Sequence, residues 1–289
     1  MKEIALPKQY LSVIEKAPGT ERQYLGQPDM VLLDDDQTLL TVYPAGHGAG
    51  PVILKVSPDA GETWEERTDT PASWQGSLET PTLFKLNENK LILICGRPNW
   101  KGNQSGGWQT SLSLDNGETW SEFKTHHTNF SDGSKNYTSV AMASLIALKD
   151  GRWLGVYHDE HFVNYKTYLS FDENENEQWS EPEPYLQTYR NIEEAYQICE
   201  VGLFRSPDNK SIVALGRAQS HRHPSVLFFS HDEGKSWTEP TDVHPGLQGE
   251  RHKAIYDPVT KRLVVTFREI TLNSDSPEDW LAGDWLAWV

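Results

Sequence analysis

The chain has 289 residues, and its eleven tryptophans, eleven tyrosines and nine phenylalanines supply ample material for a large buried core. Its 42 acidic against 26 basic side chains leave a formal charge of −16, which argues against nucleic acid, a partner that needs a basic footprint, and against an anionic membrane surface. Cys95 and Cys199 are too few for a disulfide framework, and because both flank apolar runs they are expected to be buried free thiols.

The opening residues Met1 to Lys8 lack the apolar stretch of a signal peptide, and no run reaches transmembrane length. A soluble cytoplasmic protein is expected, with a processed secreted form as the alternative. Residues 1–27 lead in, with a strand expected over 10–14. Repeated groups of strands then follow in order. Strands are expected at 29–33, 38–43 and 52–56, then at 82–86 and 90–95, then at 142–148 and 153–157. Further pairs are expected at 201–204 with 212–215, and at 253–256 with 263–267. Apolar runs bounded by Gly, Pro and Asp turns at regular spacing are the signature of all-β structure. Residues 285–289 read as a third strand of the fifth group.

One motif sets the period. Ser57-Pro58-Asp59-Ala60-Gly61-Glu62-Thr63-Trp64 returns at Ser113 to Trp120 and at Ser230 to Trp237, with a degraded copy from Ser170 to Trp179. The serines are 56, 57 and 60 residues apart, which marks one supersecondary unit repeated within a single domain over 1–289. The residue types suit a tight turn. The aspartate accepts backbone N–H bonds, the glycine adopts angles other residues avoid, and the tryptophan anchors the hairpin.

Charge collects at equivalent strand ends. His47, Arg97, His158, Arg217 and Arg268 fall at the ends of second strands. Arg22, Gln27, Glu79, Glu200, Arg251 and His252 precede first strands. A cation or imidazole in each of five repeats, in so acidic a chain, points to an anionic ligand. The simplest is a carboxylate gripped by paired arginine hydrogen bonds. In Tyr157-His158-Asp159 the imidazole is suited to acid or base work and Asp159 to orienting it. The loop Gly46-His47-Gly48-Ala49-Gly50 lacks the Lys-Ser/Thr of a phosphate loop. His221-Arg222-His223 reads as a surface turn, no zinc signature is present, and no metal or cofactor is expected.

The recurring motif resembles the Asp-box of the sialidase superfamily of β-propellers, over nearly the whole chain. That resemblance implies four full blades and a partial fifth of a six-bladed ring, with a C-terminal blade absent or residues 10–14 closing five blades. It also implies a carboxylate-binding arginine triad, an Asp acid/base, and a Tyr nucleophile helped by a Glu. Glu200 matches the helping Glu, Arg217 a triad Arg, and Arg268 another, while Arg22, outside that pattern, and Arg97, Arg251 and His252 are expected as further substrate contacts from their place at the strand ends. The chain departs from the pattern at Gln27, which stands where the first Arg is expected, and at His47, which stands where the acid/base Asp is expected. The nucleophilic Tyr belongs to a final blade and is unassigned. The expectation is therefore an exo-glycosidase for an acidic sugar, with Glu200, His47, His158 and Asp159 as its catalytic candidates. The alternatives are a lyase on uronic-acid glycans, built from His47, Tyr157, His158 and Arg217, and a non-catalytic glycan-binding propeller. On this reading Arg217→Ala abolishes activity without unfolding the protein.

Overall fold

The computed structural model describes residues 11–16, 25–46, 50–99, 102, 106–270 and 285–288, giving the backbone alone at Ala141 and 285–288. The described residues are all-β apart from short helical turns, and the strands form small antiparallel sheets. No helix among them is long and apolar enough to cross a membrane. The chain divides into two compact units, 1–97 with 108–126, and 98–107 with 127–289.

The first unit holds two meanders. β1 (Asp29–Leu32), β2 (Leu39–Pro44), β3 (Val52–Ser57) and β4 (Glu65–Arg67) pair in sequence order. β5 (Pro81–Lys85), β6 (Leu91–Gly96), β7 (Trp108–Ser113) and β8 (Lys124–His126) do the same. The central strands read as near-continuous apolar runs because both of their faces are covered. Leu40, Val42, Leu54, Leu83, Leu91 and Leu93 build the core around Trp74, whose ring meets Trp120 edge-on at 5.4 Å. The strand expected at 10–14 is not present over 11–14 (Tyr10 lies outside the described residues). That stretch is instead tied to β3 by Lys55, whose Nζ donates to the Ile14 carbonyl at 3.1 Å and to Glu15 Oε2 at 2.5 Å.

The second unit holds three sheets. β9 (Thr138–Ala147), β10 (Trp153–Asp159), β11 (Asn164–Phe171) and β12 (Glu177–Trp179) form the first, with β13 (Glu183–Pro184) also on β11. β14 (Ile198–Arg205), β15 (Ile212–Ala218), β16 (Val226–Ser230) and β17 (Thr241–Asp242) form the next. β18 (Gly249–Tyr256), β19 (Leu263–Glu269) and β20 (Trp285–Trp288) form the last, so the closing strand pairs where expected. Leu154, Val156, Ile198, Ile212, Val226 and Phe228 pack one apolar core. A short helix, α1 (Arg190–Tyr196), was not foreseen; it ends at Gln197 in the left-handed conformation.

The recurring motif is built from its own side chains. Ser57 Oγ donates to Asp59 Oδ1 at 2.8 Å and accepts from Gly61 N at 2.8 Å. Asp59 in turn accepts from the Thr63 amide at 2.8 Å and its hydroxyl at 2.6 Å. Ser113 with Asp115, and Ser230 with Asp232, repeat the pattern. Both thiols are free and buried, as expected. Gly234 (φ +81°) also docks its turn on the preceding sheet, since an added Cβ would lie 2.5 Å from Leu154 Cδ2. Gly234→Ala is expected to cost about 1–3 kcal/mol through overpacking, read as a fall in Tm, whereas an unchanged Tm would show that the turn does not bear on Leu154.

Candidate functional site

Three of the second unit's inner strands are irregular at the same relative place. Between Val156 and Asp159, between Cys199 and Gly202, and between Glu250 and Lys253, the register slips through a bulge. Each bulge holds a non-glycine residue in the left-handed region: Met142 (φ 46°), Glu200 (φ 47°) and Arg251 (φ 57°). Such outliers are uncommon, and bulges re-aim side chains beside functional sites. One rung further out, Arg217 faces Cys199 and Arg268 faces Glu250 across the strands. His158 occupies the matching rung of β10, opposite Val140.

The result is a buried chain of alternating charge. Arg268 pairs with Glu250 Oε1, and Glu250 Oε2 lies 2.6 Å from Arg217 Nη1. The same Arg217 nitrogen lies 3.3 Å from Glu200 Oε2, and Glu200 Oε1 lies 3.5 Å from Arg251 Nε. The Glu200 and Glu250 side chains are only 6% and 3% exposed. Three arginines therefore enclose two glutamates. Among the described residues, Arg217 Nε, Arg251 Nη2 and Arg268 Nε are buried with no hydrogen-bond acceptor. Buried polar groups normally find partners, so unspent N–H groups on an excess of cations suit an anionic ligand. Glu250 already sits between Arg217 and Arg268 as a ligand carboxylate would.

Electrostatics separates the two glutamates. Burial opposes ionisation of Glu200, but Arg217, Arg251 and His158 outweigh it and hold the carboxyl at about 2. Burial pushes the Glu250 carboxyl up, Arg217 opposes, and the neighbouring Glu200 charge adds to the rise. Burial lowers His158 to about 4, with Arg217 and Arg251 assisting against Glu200, so its imidazole is neutral at neutral pH.

Other expected site residues have other places. Asp159 caps the β10–β11 turn, accepting from the amides of His161 at 2.8 Å and Val163 at 2.9 Å. It makes no hydrogen bond to His158 among the described residues. His252 is buried, bonds the Leu247 carbonyl through Nε2 at 2.8 Å and stacks on Phe267. Tyr157 donates to Asn136 Oδ1 at 3.0 Å and stacks on Tyr165, and burial drives its pKa well up. Arg97 is half-buried at the end of β6 in the first unit, and burial lowers its pKa. Arg22 and His47 lie outside the described residues.

Two residues were missed. Glu250 carries a signal in hindsight, because several arginines brought together under cover require counter-charge. His221 was read as part of a surface turn, yet it is buried, and after burial itself Arg217 and Arg268 lower its pKa. Its neighbour His223 stacks on Tyr196 instead. Among the described residues no group of three or more His, Cys, Asp or Glu is placed to hold a metal ion.

The model of the BNR repeat-like domain family matches residues 75–247. Among solved structures, the chain is similar to a protein of unknown function from Dyadobacter fermentans, at 17% identity and TM-score 0.61, covering 91% of this chain and 82% of that one. It is similar to the α-L-arabinofuranosidase PaAbf62A of Podospora anserina, at 12% identity and TM-score 0.63, covering 95% and 92%. It is also similar to Trypanosoma rangeli sialidase, at 16% identity and TM-score 0.54, covering 90% of this chain and 46% of that one. At these identities the likeness is one of fold, and the fold is one that carbohydrate-active hydrolases use. No curated protein sequence matches the chain.

Proposed function

We propose that this chain, which belongs to the BNR repeat-like domain family, is a sialidase-like exo-glycosidase that releases a carboxylate-bearing sugar. The observation that carries the reading is the buried run of three arginines and two glutamates with unspent guanidinium N–H groups. The repeat period and the fold likeness support taking the sheets as blades of one sialidase-like propeller spanning 1–289. In the reaction the bond from the anomeric carbon to the leaving oxygen breaks. Water supplies the oxygen of the new bond, and a proton from that water goes to the leaving oxygen. The transition state is oxocarbenium-like. Arg251, with Arg217 and Arg268, holds the sugar carboxylate. Glu200, ionised by its arginine neighbours, stabilises the positive charge that develops beside it.

A second reading rests on His158. β-Elimination on a uronic-acid glycan needs a neutral base close to groups that neutralise the carboxylate. His158 is neutral above about 4, with Arg217 and Arg251 among its neighbours. The two readings part at the product. Incubation with a sialoside and with uronic-acid oligosaccharides, followed by mass spectrometry and ultraviolet absorbance, is expected to show a free acidic sugar with water added. A product lacking water, with new absorbance from a C4–C5 double bond, would replace hydrolysis by elimination. Binding without turnover would leave a glycan-binding protein, and no binding to either class would end the acidic-sugar reading.

A further inference from the structure

Beside the charged run lies a backbone outlier that hydrolysis does not use. Phe162, in the turn between β10 and β11, has φ 57°, a region that bulky residues rarely enter. Its amide donates to the Asp159 carbonyl at 3.2 Å. Its own carbonyl accepts from Arg190 Nη1 at 3.3 Å and from Asn164 Nδ2 at 3.5 Å. Behind these stands Glu193 on α1, buried, which accepts from Arg190 Nη1 at 2.7 Å, the Asn164 amide at 2.6 Å and Asn164 Nδ2 at 3.0 Å. A turn that had only to reverse the chain would take Gly or Asn at such a position. Here a helix, an arginine and a buried carboxylate hold a phenylalanine there.

The bracing fixes where the ring lies. Phe162 is half-buried, and its ring lies parallel to that of His158, with planes within 4° and centroids 5.9 Å apart. The two rings stack, and Phe162 is the more exposed member of the pair. The buried member, His158, has Glu200, Arg217 and Arg251 as electrostatic neighbours. A pyranose ring carries polarised C–H groups on one face, and the electron-rich face of an aromatic ring attracts them while excluding water from both. Strained backbone persists where surrounding structure over-determines it, and ligand clamps are among those places.

We infer that Phe162 is a stacking platform for the pyranose ring adjoining the acidic sugar, so that the site selects a glycan over the free acidic monosaccharide. This rests on the carbohydrate reading of the charged run. The test is calorimetric titration of the intact chain and of Phe162→Ala, Phe162→Leu and Phe162→Tyr. The probes are sialic acid, glucuronic acid, and uncleavable sulfur-linked analogues of sialyllactose and of a glucuronic-acid disaccharide. Alanine and leucine are expected to weaken binding of one of the two glycans about threefold to tenfold, with the matching monosaccharide unchanged. Tyrosine is expected to retain the glycan affinity. Leucine binding the glycan as well as phenylalanine would overturn the platform while the carbohydrate reading stands on the monosaccharide. Equal losses for monosaccharide and glycan would also overturn it, reducing Phe162 to a support for His158. Failure of the unaltered chain to bind any of the four probes would remove both readings.

Discussion

Arg217→Ala is expected to destabilise the protein by about 3–5 kcal/mol as well as to abolish turnover. The sequence alone suggested that the fold would survive this change, but the geometry reverses that expectation. Arg217 Nη1 lies 3.3 Å from Glu200 and 2.6 Å from Glu250, so alanine would take from each of two buried carboxylates one of its two arginine partners. Lost activity in Arg217→Ala would therefore say little about the chemistry. Arg217→Lys separates the two effects. The ammonium keeps a positive charge between the glutamates but cannot present the fork of N–H donors that a carboxylate takes two at a time. The lysine variant is expected to keep most of the stability and to lose about a hundredfold or more in kcat/KM. Denaturant unfolding and steady-state rates on both variants are the measurements. An alanine variant as stable as the unaltered protein would show that the charged run is not buried as a unit. A fully active lysine variant would remove Arg217 from substrate binding.

Local chemistry made most of the fold legible. The strands announce themselves by apolar runs between turns, and each recurring turn is closed by bonds spanning no more than four residues, such as Thr63 to Asp59. Arg217, Arg268 and His158 were legible because a repeat places them at the same rung of successive sheets. What stayed hidden depends on register. Nothing around Glu250 says that it faces Arg268, because only the bulge between Glu250 and Lys253 brings that rung into line. Asp159 looked like a partner for the adjacent His158, but an aspartate at a hairpin end finds the turn amides first. The lead-in strand failed for a long-range reason, the tie from Lys55 to Ile14 and Glu15 across some forty residues. α1 escaped notice because a seven-residue helix carries too little periodicity to stand out, and it is held by Glu193 reaching back to Asn164.

Glu250→Gln is expected to raise affinity for an acidic sugar at neutral pH by about tenfold, equivalent to about 1.4 kcal/mol, and to flatten its pH dependence. In the native protein Glu250 bridges Arg217 and Arg268 and so occupies the seat that a sugar carboxylate needs. The charged groups around it are Glu200 on β14, Arg217 on β15, Arg251 on β18 and Arg268 on β19, and burial with the Glu200 charge raises its pKa. As pH falls through that raised value, Glu250 takes a proton, the run gains one positive charge, and both arginines are freed for the ligand. Acidic sugars should thus bind the unaltered protein more tightly on the acid side. Glutamine imitates the protonated form at every pH. Stability follows the same sign. A carboxyl with a raised folded pKa contributes fully below its ordinary value of 4.5 and loses that contribution as pH rises through the folded pKa. Glu200 behaves oppositely, since its stabilisation is present above 4.5 and is lost as pH falls toward about 2. Unfolding free energies and ligand affinities measured together across that range decide the matter. If Glu250→Gln binds acidic sugars more weakly than the native chain at neutral pH, Glu250 orders the arginines for the ligand rather than competing with it.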